Sequence, residues 1–234
     1  MSAAESDLYF SQIPVGQMAN FAYLIGSRST REVLLVDPAW SVDALLDQCE
    51  ADGMKPVGAL VTHYHQDHVG GEIFGMEIEG VPRLLERCPV PLYVNEHEGD
   101  GTLKVTGASE SDLRRMSGGD DITLGEVRIR LIHTPGHTPG SQCFLVEEEG
   151  QAGKLVSGDT LFLGSCGRVD LPGSDPEQMY RSLNEKLKQL PDETILYPGH
   201  LYSTEPQGSM GDEKKNNPFL RVANLEQFLM FMGA

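Results

Sequence analysis

The segment His63-Tyr64-His65-Gln66-Asp67-His68 places three imidazoles and a carboxylate within six residues, directly after the apolar run Val57–Val61. Imidazole and carboxylate donors together suit zinc, iron or manganese. Alternate residues of an extended chain point to opposite sides, so a straight strand cannot aim all four at one point. A turn at the strand end can, and Gly70-Gly71 gives the backbone that freedom. Three more ligand-type residues each follow a glycine after an apolar strand. They are His137 in Thr134-Pro135-Gly136-His137, Asp159 in Ser157-Gly158-Asp159 and His200 in Pro198-Gly199-His200. Each is weak alone, because a lone buried histidine is more often a core residue with its hydrogen bonds satisfied. Together they point to strand ends along one sheet edge, where α/β folds carry their sites.

The elements that must position these residues follow from apolar patterning. Leu8–Ile13, Phe21–Ile25, Glu32–Asp37 and Val57–Val61 read as strands, the last two buried on both faces. Ser41 can cap a helix carrying Val42, Leu45, Leu46 and Cys49 on one stripe, with Gly53 as its stop. Gly70–Met116 is irregular, with a helix expected at Val81–Cys88 and a strand at Pro91–Asn95. It reads equally well as a lid that shapes a pocket or as extra helices on the rim. Beyond it, Ile122–Leu124, Val127–Ile132, Gln142–Val146, Lys154–Val156 and Thr194–Tyr197 read as strands between Gly and Pro turns. Asp175-Pro176-Glu177-Gln178 opens a helix with stripe Met179, Leu183, Leu187 and Leu190 that Pro191 ends. A final helix is expected at Ala223–Met232. No Pro, Gly or Ser linker divides the chain, so residues 1–234 are read as one domain with an internal pseudo-duplication.

The chain has 234 residues, enough to bury a core without disulfide or metal staples. Lys plus Arg is 18 against 35 Asp plus Glu, a formal charge of −17. That excess disfavours nucleic-acid phosphates and anionic membranes as partners. No apolar run is long enough for a transmembrane helix, and Met1–Asp7 lacks the basic and apolar regions of a secretory leader. Cys49, Cys88, Cys143 and Cys166 form no CxxC pair and suit reduced thiols in the cytoplasm.

The HxHxDH segment with a distant His, a distant Asp and a final His resembles the metallo-β-lactamase-fold superfamily, from Tyr9 to about Leu229. The resemblance implies a four-layer αβ/βα sandwich with a metal site at the sheet edge. It assigns His63, His65 and His137 to a first divalent metal ion and Asp67, His68 and His200 to a second, with Asp159 bridging. It makes Asp37 a partner of a ligand histidine, of the kind that fixes the ring tautomer. Two such metals, zinc first with iron or manganese as alternatives, can hold a hydroxide as nucleophile, so no Ser or Cys nucleophile is needed. Asp67 or Asp159 can accept a proton.

Gly158-Asp159-Thr160-Leu161-Phe162 followed by Cys166-Gly167-Arg168 resembles the glyoxalase II and persulfide dioxygenase branch, which acts on glutathione-derived thiol adducts. Asn20–Ile25 is similar to glyoxalase II, implying hydrolysis of a thioester such as a hydroxyacylglutathione. Cys166–Asp170, Tyr197–His200 and Asn217-Pro218 are closer to the dioxygenase, which implies a single iron held by His63, His137 and Asp159. The helical C-terminal domain that contacts glutathione in glyoxalase II has no counterpart, and Gly70–Met116 matches neither family. Arg168 and Tyr202 are the foremost substrate contacts, ahead of Lys214, Lys215 and Arg221. His97 and His133 read as structural, and a homodimer is compatible with the sequence. A nuclease is disfavoured by the acidity, and a non-catalytic binding module by the intact ligand set.

Overall fold

The computed structural model describes residues 6–233, so most of the N-terminal segment read for a leader lies outside the described residues. The first half of the chain contains β1 (Leu8–Val15), β2 (Asn20–Ser27), β3 (Glu32–Val36), α1 (Val42–Ala51), β4 (Lys55–Leu60) and α2 (Gln66–Val69). It continues with the hairpin strands β5 (Gly71–Ile73) and β6 (Met76–Ile78), then α3 (Val81–Arg87), β7 (Leu92–Asn95), α4 (Gly99–Thr106) and β8 (Leu113–Met116). The second half supplies β9 (Asp121–Leu124), β10 (Val127–His133), β11 (Gln142–Glu147), β12 (Lys154–Val156), β13 (Leu161–Phe162) and β14 (Ser165–Cys166). It ends with α5 (Pro176–Arg181), β15 (Ile195–Tyr197), β16 (Gly208–Ser209), α6 (Met210–Asn216) and α7 (Leu225–Met232).

Each half builds a six-stranded sheet, ordered β1-β2-β3-β4-β7-β8 and β16-β15-β12-β11-β10-β9. The period of two along each strand sorts its side chains between layers. In β2, Phe21, Tyr23 and Ile25 face the second sheet, where they meet Ile129, Leu131, Phe144 and Tyr197. Ala22 and Leu24 face outward with Val42 and Leu45 of α1 and Leu84 of α3. On the second sheet Cys143, Leu145 and Leu155 face outward onto Met179 of α5, Met210 of α6 and Phe228 of α7. The layers are therefore helix, sheet, sheet, helix, the αβ/βα sandwich.

From residue 70 to 116 the chain divides. β5 and β6 form a separate two-stranded hairpin, whereas β7 and β8 extend the first sheet by parallel pairing. The edge strand β8 carries exposed Arg114 and Arg115, so the alternation that marks a half-buried strand is weak there. Ser41 occupies the N-cap of α1 without a side-chain cap bond. The segment expected as one helix up to Pro191 changes winding instead. After α5 comes a wide π turn at Ser182–Lys186 and a tight 3₁₀ turn at Leu187–Gln189. Buried residues four apart overshoot an α-helical face by about 40° per step, and a wider turn returns Leu183 and Leu187 to the core. Among the described residues no helix is long and apolar enough to cross a membrane, and all four cysteines are free.

Backbone bonds tie the two sheets together at one edge. Phe21 N donates to Gly199 O at 2.8 Å, Leu201 N to Ala19 O at 2.8 Å and Gln142 N to Thr62 O at 2.9 Å. The ligand-bearing turns leave the sheets at this edge.

Candidate metal centre

The HxHxDH segment leaves the end of β4 and turns into the short helix α2, so His63, His65, Asp67 and His68 converge rather than alternate. His137 follows β10, Asp159 follows β12 and His200 follows β15. The glycine before each ligand is needed for close packing at two of these turns. A Cβ on Gly199 would fall 2.5 Å from Asp159 Oδ1. Gly136 has φ +144° and lies against the backbone of Met179, where a Cβ would fall 2.5 Å from its Cα.

The side chains form two groups that meet at Asp159. In the second group His68 Nε2 lies 3.2 Å from His200 Nε2, 3.4 Å from Asp67 Oδ2 and 3.3 Å from Asp159 Oδ1. His200 Nε2 lies 3.3 Å from Asp67 Oδ2 and 3.4 Å from Asp159 Oδ1. These five distances all lie between 3.2 and 3.4 Å. A tetrahedral ion with bonds of about 2.1 Å spaces its donors about 3.4 Å apart, so the cage has the size of a zinc or iron site. In the first group His63, His65 and His137 offer ligand atoms that all lie within 4.8 Å of one another. His65 Nδ1 is 3.0 Å from His137 Nε2, and Asp159 Oδ2 is 3.7 Å from His137 Nε2. His63 Nε2 and Asp159 Oδ1 are buried without a hydrogen-bond partner. Buried polar atoms are seldom left so, and two of them facing these groups are what a cation would satisfy. The residues present therefore fit a divalent metal at each group.

The outer ring atoms are held by the surrounding chain. His68 Nδ1 donates to Asp37 Oδ2 at 2.9 Å, His137 Nδ1 to Arg168 O at 2.8 Å and His200 Nδ1 to Met18 O at 2.9 Å. His63 Nδ1 donates to Thr62 Oγ1 at 3.0 Å, and that hydroxyl donates to Asp37 Oδ2. These bonds assign the Nδ1–H tautomer and free Nε2 as the inward donor, with His65 the exception that turns Nδ1 inward. Asp37 has φ +49° and also accepts from Thr62 N at 2.8 Å, so one buried carboxylate serves both groups.

Charge separates the groups. Burial, together with the neighbouring rings, pushes His63 well below the ordinary histidine range, and the same causes bring His65 down to about 4. Burial also disfavours the cations of His68 and His200, but Asp67 and Asp159 overcome it. His68 is raised well above its ordinary value and His200 is raised to about 9. Burial would raise the two aspartates, yet the facing histidines hold both well below the usual carboxylate range.

Of the substrate contacts expected from sequence, Tyr202 lies at the site. Its ring stacks on His200 with centroids 4.7 Å apart and planes 11° from parallel. Arg168 touches the site through its carbonyl only. Its guanidinium is 67% exposed and pairs with Asp170 at 2.8 Å. Lys214 ties Asp192 at 2.7 Å, and Arg221 is exposed. His97 and His133 pack with ring centroids 5.3 Å apart, and His133 Nε2 bonds Pro139 O at 2.9 Å, on the loop after His137.

Sequence reasoning missed two residues. Asn20 Nδ2 donates to Asp67 Oδ2 at 3.0 Å, orienting that carboxylate. Glu98 is fully buried and accepts from Tyr64 N at 2.7 Å, Thr138 Oγ1 at 2.8 Å and Gly140 N at 2.8 Å. It thus clamps the loop of His63 and His65 to the loop of His137. Burial raises Glu98 to about 7 against those three donors. A signal existed, since Leu92–Val94 is another apolar strand running into polar residues at the same edge.

Two facing sheets with a histidine–aspartate centre between their strand ends define a metal-dependent enzyme of αβ/βα type. The chain belongs to the metallo-beta-lactamase superfamily, whose family model matches residues 15–200. An uncharacterized protein of Aquifex aeolicus is 34% identical, covering 88% of this chain and 94% of its own. A probable metallo-hydrolase of Bacillus subtilis, YqgX, is 29% identical over 92% of this chain and 98% of its own. The human mitochondrial persulfide dioxygenase ETHE1 is 30% identical over 91% of this chain and 76% of its own. Among solved structures, a Staphylococcus aureus metallo-beta-lactamase superposes with TM-score 0.82 at 28% identity, covering 97% of this chain and 67% of that one. ETHE1 from Myxococcus xanthus gives 0.79 at 29%, covering 96% and 90%. TTHA1623 in a di-iron-bound form gives 0.69 at 31%, covering 90% and 100%. The superfamily binds divalent metals such as zinc or iron and includes both hydrolases and dioxygenases.

Proposed function

We propose that the protein is a dinuclear metallohydrolase that cleaves a thioester, a hydroxyacylglutathione being the type substrate. The observation that supports it is the complete pair of donor groups sharing Asp159, with the second group as evenly spaced as the first is imidazole-rich. When bound, a zinc or iron pair lowers the pKa of a coordinated water to about 7 and polarises a carbonyl. His63, His65 and His137 would hold the first ion, Asp67, His68 and His200 the second, and Asp159 both. The chain's own part is to hold these donors together and aimed. Asn20 keeps Asp67 oriented, and the outer hydrogen bonds fix the histidine tautomers. Asp67 and Asp159, held as carboxylates by the facing histidines, stay available as donors to the ions. The partner is a small thiol adduct in the cytoplasm; the −17 charge disfavours nucleic acid and anionic membranes.

A second reading, a persulfide dioxygenase using one iron on His63, His137 and Asp159, draws on the two likenesses to ETHE1. Metal analysis of protein purified without added metal, run beside thioesterase and oxygen-uptake assays, separates them. The hydrolase reading expects two ions per chain and thioester cleavage. One iron with persulfide-dependent oxygen uptake overturns it.

A further inference from the structure

The hairpin β5–β6 follows the HxHxDH turn at once, and its tip is built against the backbone's preference. Ile73 pairs with Met76, leaving Phe74 and Gly75 as a two-residue loop. Both have positive φ, +51° and +79°, the geometry of a type I′ turn. Asn or Gly takes the first of these positions easily; a bulky aromatic is an outlier there. No packing in the fold repays this, because Phe74 is 105% exposed, the most exposed large apolar side chain among the described residues. Strain kept without a structural return collects at functional sites.

Phe74 instead lines a pocket at the metal centre. The pocket, about 400 Å³, is lined by Glu72, Ile73 and Phe74 of the hairpin, by Leu171 and Pro172, and by His65, Gln66 and Asp67 of the metal-centre turn, so its apolar lining comes from Ile73, Phe74, Leu171 and Pro172. His65 belongs to the first donor group and Asp67 to the second. Among the described residues no lysine or arginine lines it, so nothing there receives the carboxylates of a glutathione-like thiol. We infer that this pocket takes the acyl side of the substrate and that the acyl group is a hydrophobic chain, with Phe74 setting the preference. The inference rests on the thioester reading and narrows it from small polar acyl groups to apolar ones.

Product carboxylates test the pocket without turnover. Acetate, butyrate and hexanoate are titrated into the zinc-loaded full chain by calorimetry. Affinity is expected to climb with length, up to about fourfold for each buried methylene. Phe74→Asn is expected to flatten that climb while keeping metal content and raising Tm, because Asn suits the turn. Phe74→Leu is expected to keep most of it. An equal climb in wild type and Phe74→Asn, or none in wild type, overturns the inference. So does a variant that turns a dimer into a monomer with the climb intact, which makes Phe74 an assembly contact. If the climb appears but acetyl and hexanoyl thioesters are both left uncleaved, the thioester reading fails and the apolar pocket stands.

Discussion

The two donor groups differ in how they hold themselves together without a cation. The first is three imidazoles, of which burial and neighbouring rings keep His63 and His65 neutral, and it leaves His63 Nε2 without a partner. The second interleaves His68 and His200 with Asp67 and Asp159, so protons can stand in for a metal. Both groups are supported from Asp37, directly for His68 and through Thr62 for His63.

The largest break in this contrast is Asp159→Ala, which removes the carboxylate common to both groups. Turnover is expected to fall to background and metal content from two ions to one, with the circular-dichroism spectrum retained. Near-normal thioesterase activity in that variant refutes the assignment of Asp159.

Protons should distinguish the groups next. His68 is raised well above 6.5 and His200 from 6.5 to about 9, so at neutral pH the second metal must displace both protons, and apparent affinity falls up to about tenfold per pH unit for each. His65, lowered to about 4, demands no such exchange above pH 6. Calorimetry in buffers of different ionisation enthalpy should find proton release with one equivalent of zinc and almost none with the other. The metal-free protein gains stability from the His200 proton below pH 6.5 and loses it as pH rises through about 9. Neutral His65 costs stability as pH falls from 6.5 toward 4, because the unfolded chain takes up that proton first. Its Tm should therefore peak near pH 6.5, and a monotonic profile would contradict the charge pattern.

A finer separation comes from the support of the rings. Thr62→Val removes the acceptor for His63 and one donor to Asp37 but leaves the Asp37–His68 bond. Asp37→Asn disturbs both. Losses of about 10–100-fold in metal affinity are typical when such partners are removed. Competition with a chromophoric chelator should show Thr62→Val weakening mainly one equivalent and Asp37→Asn weakening two.

The ligand residues are legible in the sequence because each stands near the end of an apolar strand, beside a glycine or in one dense motif, where a local pattern is enough. The central strand β3 is legible on similar grounds. Val33, Leu34, Leu35 and Val36 are all buried, and such an unbroken apolar run marks a strand covered on both faces. The apolar strand Leu92–Val94 places Glu98 near the edge, but its clamping role is not legible, because its partners lie 34 and 40 positions away in two other loops and only the tertiary fold brings them together. The β5–β6 hairpin escapes for a different reason. Its turn holds Phe74 where a type I′ loop ordinarily shows Asn or Gly, so the local signal is absent.

Arg168 carries the smallest expected effect. Its spacing from Asp159 places it at the site, but spacing does not encode the direction of a side chain. The guanidinium points to solvent, paired with an equally exposed Asp170, and an exposed ion pair of this kind is screened by water and contributes little. The contact that matters is the Arg168 carbonyl, which holds His137 Nδ1 and survives any side-chain substitution. Arg168→Ala should therefore keep both equivalents of metal and change kcat by less than about twofold, with Tm nearly unmoved. A large rise in KM with unchanged kcat would instead show that the guanidinium swings from Asp170 onto the substrate, and would restore Arg168 as a substrate contact. Measured beside Thr62→Val, it tests whether the centre is governed by what holds its rings or by the charges at its mouth.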